Sequence, residues 1–265
     1  MEGKACKVCD KKFDRGEKPV KKKRVSENFY VPLFTLASQI VFWLTLLAVI
    51  LFDIIVSHVK VRGRENLRSA QKKGAFLISN HTLYLDSALI AHAIAPYRTC
   101  FTALEETFYR KFIGLYIRCL GAFPVSETMS MHMLIDVVKR AHRKNWFVHF
   151  FPEGELIHLD QSLREFKQGV FYLAFILDRP VIPITIITKP RLCFPEILNR
   201  YFCKIEIIIG KPLYPADFKN KGLKRKEQVR LLSECARNVI QQELKKQSPI
   251  FLLRQAGSIK KIKSA

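Results

Sequence analysis

Acidic residues are scarce in this chain: 23 Asp and Glu stand against 45 Lys and Arg in 265 residues, a formal net charge of +22. Such an excess fits an anionic partner, either nucleic acid or a charged membrane surface. No internal repeat recurs at solenoid spacing, which excludes a stacked-repeat architecture, and low complexity is confined to basic clusters. Cysteine is present without a disulfide framework: Cys6, Cys9, Cys100, Cys119, Cys193, Cys203 and Cys235 are odd in number and scattered, as reduced thiols facing the cytoplasm would be. Cys6 and Cys9 form half of a zinc knuckle with no second pair nearby, so structural zinc would need a dimer or distant histidines. The histidines are dispersed and no acidic cluster occurs, which argues against a metal-assembled site. No G-x-S-x-G elbow exists, which argues against a serine hydrolase.

What the chain does have is apolar material, 49% of its residues, enough to bury one large core. The longest apolar run, Leu33 to Val56, contains a single charge, Asp53. Roughly 20 helical residues span the ~30 Å hydrocarbon core of a bilayer, so this segment is long enough to enter one. It is too long and too late in the chain for a typical secretory signal, and lacks a small-residue cleavage pattern. Basic groups flank both ends, Lys21 to Arg24 before it and Lys60, Arg62 and Arg64 after it. A helix held in one leaflet keeps both basic ends in the same anionic headgroup layer, and we expect that in preference to a span, on the cytoplasmic face. The aromatics sit in apolar runs, not interleaved with Lys and Arg as a nucleic-acid stacking platform requires, so no nucleic acid is expected as partner.

The expected division is a basic tail over 1–28, a membrane-associated apolar helix over 29–57, a catalytic domain over 58–247 and a basic tail over 248–265. Within the body, "VKVRG", "GAFLIS", "RTCFTAL", "AFPVS", "WFVHFF", "VIPITII" and "KIEIIIG" read as strands, the first at an edge. Helices are expected over 86–95, "YRKFIGLYIRCLG", "MHMLIDVVKRAHRK", "GVFYLAFIL" and 226–246, the last with Val229, Leu232, Ala236, Val239 and Ile240 inward. This alternation predicts an α/β fold: a layered mixed, largely parallel sheet flanked by helices.

The stretch "NHTLYLD" places His81 on a strand-to-helix crossing, where α/β proteins commonly build their sites, with Asp86 as expected N-cap of the next helix. Read alone, it fits a core histidine beside a capping aspartate equally well. "FPEGE" follows another buried strand in the same way and brings out Glu153, and two such strand ends can converge on one pocket. His92, His132, His142, His149 and His158 have no carboxylate at the required spacing in a matching block; His149 and His158 flank the Pro-Glu-Gly turn, where a pocket-lining place is the alternative to the structural reading we favour.

The order "NHTLYLD", "GAFPV", "FPEG", "VIPI", over about residues 60 to 215, resembles the four-block pattern of the glycerolipid acyltransferases related to 1-acyl-glycerol-3-phosphate acyltransferase. The resemblance implies transfer of a fatty acyl group from acyl-CoA or acyl carrier protein to the free hydroxyl of a lysophospholipid, with no cofactor beyond the thioester donor. It also places the preceding apolar helix where that family keeps its membrane-binding segment. The chemistry agrees: an alcohol is a weak nucleophile near neutral pH, and a neutral imidazole at His81 can take its proton while Asp86 fixes the tautomer. The acceptor hydroxyl is itself the nucleophile, so a ternary-complex mechanism follows.

Asn80, Glu153 and Gly154 fall within these blocks and are expected at the substrate. Where the family usually continues Glu-Gly-Thr-Arg, this chain has Glu155 and Leu156, and Ser126 and Glu127 stand where an arginine is common after the second block. The phosphate clamp must then come from elsewhere, with Arg118, Arg164 and Lys167 as candidates. A different lysolipid or hydroxylated acceptor, and a membrane-surface lipid-binding protein without turnover, are the alternative readings.

Overall fold

Strand runs that are apolar at every position can be buried on both faces only if helices cover both sides of the sheet, and the computed structural model has that arrangement. It describes residues 36–103, 105–124, 131–189, 203–220 and 222–247. The two tails, Cys6, Cys9, Ser126 and Glu127 lie outside them. The strands are β1 (Lys60–Arg62), β2 (Phe76–Ser79), β3 (Thr99–Ala103), β4 (Ala122–Pro124), β5 (Phe147–Phe150), β6 (Val181–Lys189) and β7 (Lys204–Ile209), in the order β1-β7-β6-β2-β5-β3-β4. Each pairing is parallel except β6 with β7. The expected fold is present, and the antiparallel β6–β7 pair is what makes the sheet mixed.

Alternation along β2 divides the core in two. Phe76 and Ile78 point to one face, with Val138 of α6 (Met131–Arg143), Ala174 of α7 (Gly169–Leu177) and Leu232 of the long final helix (Arg225–Gln247, numbered α8). Ala75 and Leu77 point to the other, with Phe42 of α1 (Leu36–Phe52), Leu67 of α2 (Asn66–Gln71) and Ile90 of α3 (Asp86–Ile94). In α8, Val229, Leu232, Ala236 and Ile240 are buried as their spacing predicts, whereas Val239 is only half-buried. Two short helices, α4 (Glu105–Phe108) and α5 (Lys111–Cys119), connect β3 to β4.

The apolar helix α1 has two faces despite its nearly uniform composition. Ser38, Phe42 and Leu46, four residues apart, are buried against the body, while Ile40, Leu44, Leu47, Leu51, Ile54 and Ile55 are exposed. By length and composition Leu36–Ile55 can cross a membrane. The helix ends in a π-helical turn, Asp53–Ser57, and the chain reverses at His58, whose φ is +49°. Asp53 is not a solvent-facing charge within that run: its carboxylate is buried and meets His92 Nδ1 on α3 at 2.9 Å.

Candidate active site

Because β2 and β5 are adjacent and parallel, Ile78 opposite Phe150, the residues that follow them leave the sheet side by side. The ends of parallel strands are where open α/β sheets place their sites. After β2 come Asn80 and His81; after β5 come Phe151, Pro152 and Glu153. The two strand ends do converge: the His81 backbone N–H donates to Glu153 Oε1 at 3.1 Å. The His81 ring stacks on Phe151 with centroids 3.7 Å apart and 15° between planes.

Asp86 behaves differently from the expected N-cap. It is the first residue of α3, with Leu85 in the capping position, so its carboxylate turns back onto the loop that precedes the helix. Oδ2 accepts N–H groups from Thr82 at 2.7 Å and Leu83 at 2.9 Å, and lies 2.9 Å from His81 Nδ1. An anion at a helix N-terminus is also favoured by the helix dipole. The carboxylate is fully buried and the His81 side chain is 21% exposed. Nδ1 therefore donates to Asp86, which leaves Nε2 as the acceptor nitrogen. Among the described residues Nε2 has no hydrogen-bond partner.

Glu153 holds the loops together. Its side chain is 2% exposed and pairs through Oε2 with Arg164 Nη2 at 3.0 Å, while the Arg164 backbone N–H reaches the same oxygen at 3.3 Å. Burial pushes the Glu153 carboxyl above its usual range, against the N–H groups of His81 and Arg164 and the Arg164 charge, which act the other way. Arg164 also donates to the Glu155 carbonyl at 2.8 Å. The guanidinium thus lies at the site with Nη2 shared between Glu153 and the Glu155 carbonyl, while Nε and Nη1 are buried without a hydrogen-bond partner among the described residues. Lys167 is exposed, has no ion-pair partner among the described residues, and lies over Gly154, where an added Cβ would fall 2.5 Å from its Nζ. Gly154 has φ +75°, a backbone conformation that favours glycine in this turn.

Two residues expected at the substrate bond to the protein's own backbone. Asn80 is 2% exposed and spends both ends of its amide on β6: Nδ2 donates to the Ile186 carbonyl at 2.9 Å, and Oδ1 accepts the Ile186 N–H at 2.8 Å. Its amide is thereby turned onto the sheet, where it fixes the loop that carries His81. Arg118 donates Nε to the Gly114 carbonyl at 3.0 Å and Nη2 to the Phe108 carbonyl at 3.2 Å, which fastens α5 to α4. Its guanidinium is committed to backbone. His92, without a carboxylate at the motif spacing, pairs instead with Asp53, 39 residues earlier.

Phe151, which reads as a strand end, and His149, which flanks the Pro-Glu-Gly turn, both pack at the site. His149 is fully buried, packs edge-on to Phe151 with centroids 4.5 Å apart, and shares a 3.0 Å hydrogen bond with Ser79. Burial, and then the neighbouring His81 charge, push its imidazole down to about 3. It therefore stays neutral and buttresses the ring under His81. Beside the His81 loop an apolar cavity of about 320 Å³ runs between α1, α3 and α5, lined by Phe42, Leu46, Tyr84, Leu85, Phe101 and Ile117 among others. A wider groove of about 510 Å³, between α7 and α8, is lined by none of the site residues.

A model of the Acyltransferase family matches residues 58–187, which include His81, Asp86 and Glu153. The chain is 27% identical over 177 residues to the 1-acyl-sn-glycerol-3-phosphate acyltransferase of Bacillus subtilis, covering 67% of this chain and 83% of that protein. It is 30% identical over 160 residues to a chloroplastic 1-acyl-sn-glycerol-3-phosphate acyltransferase of Brassica napus, covering 58% of this chain but only 44% of that longer protein. The crystal structure of the 1-acyl-sn-glycerophosphate acyltransferase PlsC from Thermotoga maritima superposes with a TM-score of 0.54 over 83% of this chain and 89% of that one, at 22% identity, and so shares the fold. Sequence blocks, sheet topology and the match of the Acyltransferase model to just under half of the chain agree in likening this protein to the acyltransferases.

Proposed function

We propose that this acyltransferase moves a fatty acyl group from acyl-CoA or acyl carrier protein to the free hydroxyl of 1-acyl-sn-glycerol-3-phosphate, giving phosphatidic acid at a membrane surface. The observation that carries the proposal is the state of His81: Nδ1 held by a buried carboxylate, ring stacked on Phe151, Nε2 left open. In the reaction, Nε2 takes the acceptor's hydroxyl proton as its oxygen attacks the thioester carbonyl carbon. The tetrahedral intermediate collapses by breaking the carbon–sulfur bond, and the departing thiolate takes the proton back from the imidazolium. An ester and a free thiol result, and no protein nucleophile or metal takes part. Asp86 holds the ring and stabilises its transient charge. Apart from that of Asp86, which the Leu83 carbonyl accepts, the N–H groups in the first turn of α3 are suited to the oxyanion.

The apolar cavity beside Tyr84 and Leu85 suits a hydrocarbon chain, and Lys167 suits the acceptor phosphate. A charge-assisted phosphate contact contributes roughly 1.5–3 kcal/mol. Lys167→Ala should therefore raise the acceptor KM about tenfold or more and leave the thioester KM nearly unchanged. The deciding assay supplies labelled acyl-CoA or acyl carrier protein and a panel of lysolipids to the purified enzyme. The highest kcat/KM is expected with 1-acylglycerol-3-phosphate. Equal or better turnover of a lysolipid lacking the terminal phosphate would overturn the acceptor assignment, and equal weakening of both acceptors by Lys167→Ala would make that lysine structural.

A further inference from the structure

The helix α5 carries large apolar side chains on the wrong side for a soluble protein. Phe112 is 88% exposed, and Leu115 and Tyr116, three and four residues on, are 52% and 46% exposed. That i, i+3, i+4 spacing forms one continuous face. The opposite side of the helix already has a use, since Ile117 and then Leu120 line the apolar cavity. Gly114 sits where an added Cβ would collide with the Phe108 carbonyl, and Arg118 bonds that same carbonyl, so α5 is held at a fixed angle to α4. Its outward face is therefore a built surface.

What covers this face is given by its neighbour. Tyr116 Oη lies 2.9 Å from Thr45 Oγ1 on α1. The buried Arg98 joins the two helices a second time, donating to the Cys119 carbonyl at 3.1 Å and to the Ser38 carbonyl at 3.5 Å, with its guanidinium over the Phe42 ring. The exposed apolar stripe of α1 and the face of α5 consequently belong to one patch, and Trp43 and Tyr109 add half-exposed aromatic groups of the kind found at bilayer interfaces. Arg110 and Lys111, both exposed at the start of α5, are placed to meet anionic headgroups.

We propose that α5 is a second membrane-inserting element, whose Phe112, Leu115 and Tyr116 enter the same anionic leaflet that receives the exposed face of α1. The proposal rests on the membrane association read from α1. Two attached elements fix the orientation of the enzyme, where one helix would leave it free to swivel. They also place the cavity wall formed by α5 against the lipid.

The test uses the full-length protein carrying Phe112→Trp, bound to vesicles of phosphatidylglycerol and phosphatidylcholine with and without bromine on the acyl chains. Emission above the background of the two native tryptophans should shift to the blue on binding and be quenched by the brominated lipid. The emission added by Glu234→Trp above the same native background, at a position half-exposed on α8 over the other face of the sheet, should show neither change. Phe112→Ser should weaken vesicle binding roughly tenfold, the order expected for taking one aromatic side chain out of an apolar phase, with Tm unchanged. Full vesicle binding without quenching at position 112 overturns the role of α5 and leaves α1 as the anchor. A blue-shifted but unquenched signal means that protein covers the face, another copy or the chain's own tail, and also overturns it. Failure of the parent protein to bind vesicles overturns both readings.

Discussion

Two histidine–aspartate pairs occupy opposite ends of α3, and each is closed by an Nδ1–Oδ2 contact of 2.9 Å. At the N-terminal end Asp86 holds His81, whose side chain stays 21% exposed and whose other nitrogen has no hydrogen-bond partner among the described residues. Toward the C-terminal end His92 meets Asp53 from the close of α1, with both side chains sealed, 9% and 5% exposed. The same dyad can thus be a candidate base or a structural latch. What separates them is the surroundings of the far nitrogen and of the backbone: Phe151 and Glu153 frame His81, whereas α1 closes over His92. A carboxylate on an imidazole is therefore weak evidence of catalysis until the second nitrogen has somewhere to send a proton.

The largest effect that would break this contrast is on turnover. His81→Ala should lower kcat about 10²- to 10⁴-fold, the usual loss of a positioned general base, with Tm and vesicle binding retained. His92→Ala should do the reverse. It leaves the Asp53 carboxylate buried without its partner, at a cost of about 1.5–3 kcal/mol read as a lowered Tm, while kcat stays within about an order of magnitude of the parent. If His92→Ala were as inactive as His81→Ala at full stability, the latch would have to be redrawn as part of the chemistry. Asp86→Asn comes next. The amide keeps the shape of the carboxylate but not the charge that stabilises the imidazolium, so kcat should fall sharply, whereas Asp53→Asn should register mainly in Tm.

Acidification sharpens the contrast more gently, through buried histidines outside both pairs. His149 is pushed down to about 3, first by burial and then by the His81 charge; His142 is pushed down to about 4, first by burial and then by the Arg179 charge. Between these values and the ordinary imidazole range near 6.5, the unfolded chain binds protons that the folded chain refuses. Stability therefore rises with pH through that window and is lost as pH falls, by up to about 1.4 kcal/mol per pH unit for each group. Tm measured from pH 7 to 5 should fall, and His149→Asn should flatten the decline. The smallest effect is that of salt: raising ionic strength above 0.1 M, where charges are screened over about 10 Å, should loosen vesicle binding only in part, because the apolar faces of α1 and α5 are unaffected.

Much of this was readable from the chain. The strands announce themselves as short apolar runs bounded by Gly, Pro and Asn, because a parallel sheet covered on both sides needs nothing else, and the His-x4-Asp spacing brought out the one dyad whose members are near in sequence. The Asp53–His92 pair was not readable, since 39 residues and an apolar helix separate its members and only packing brings them together. Phe151 looked like the last residue of a strand, and its service as the floor under His81 depends on β5 lying beside β2. Arg118 and Asn80 were assigned by proximity to motif blocks. Their donors and acceptors turned out to be committed to backbone, a matter of orientation that spacing alone does not encode.

Asn80 also explains how the chain can leave the sheet so abruptly. Its side-chain amide presents the same donor and acceptor that another peptide unit would, and β6 accepts the counterfeit at Ile186. The main chain is thereby released one residue before the ladder ends, and β6 is left with no orphaned N–H or C=O at that rung. Asn80 also keys the alignment of β2 to β6: slipping by one residue would turn the amide to the opposite face and carry His81 away from Phe151 with it. The aim of the imidazole is therefore set by a residue whose amide is joined to the neighbouring strand, in the way a dovetail sets the angle of a joint.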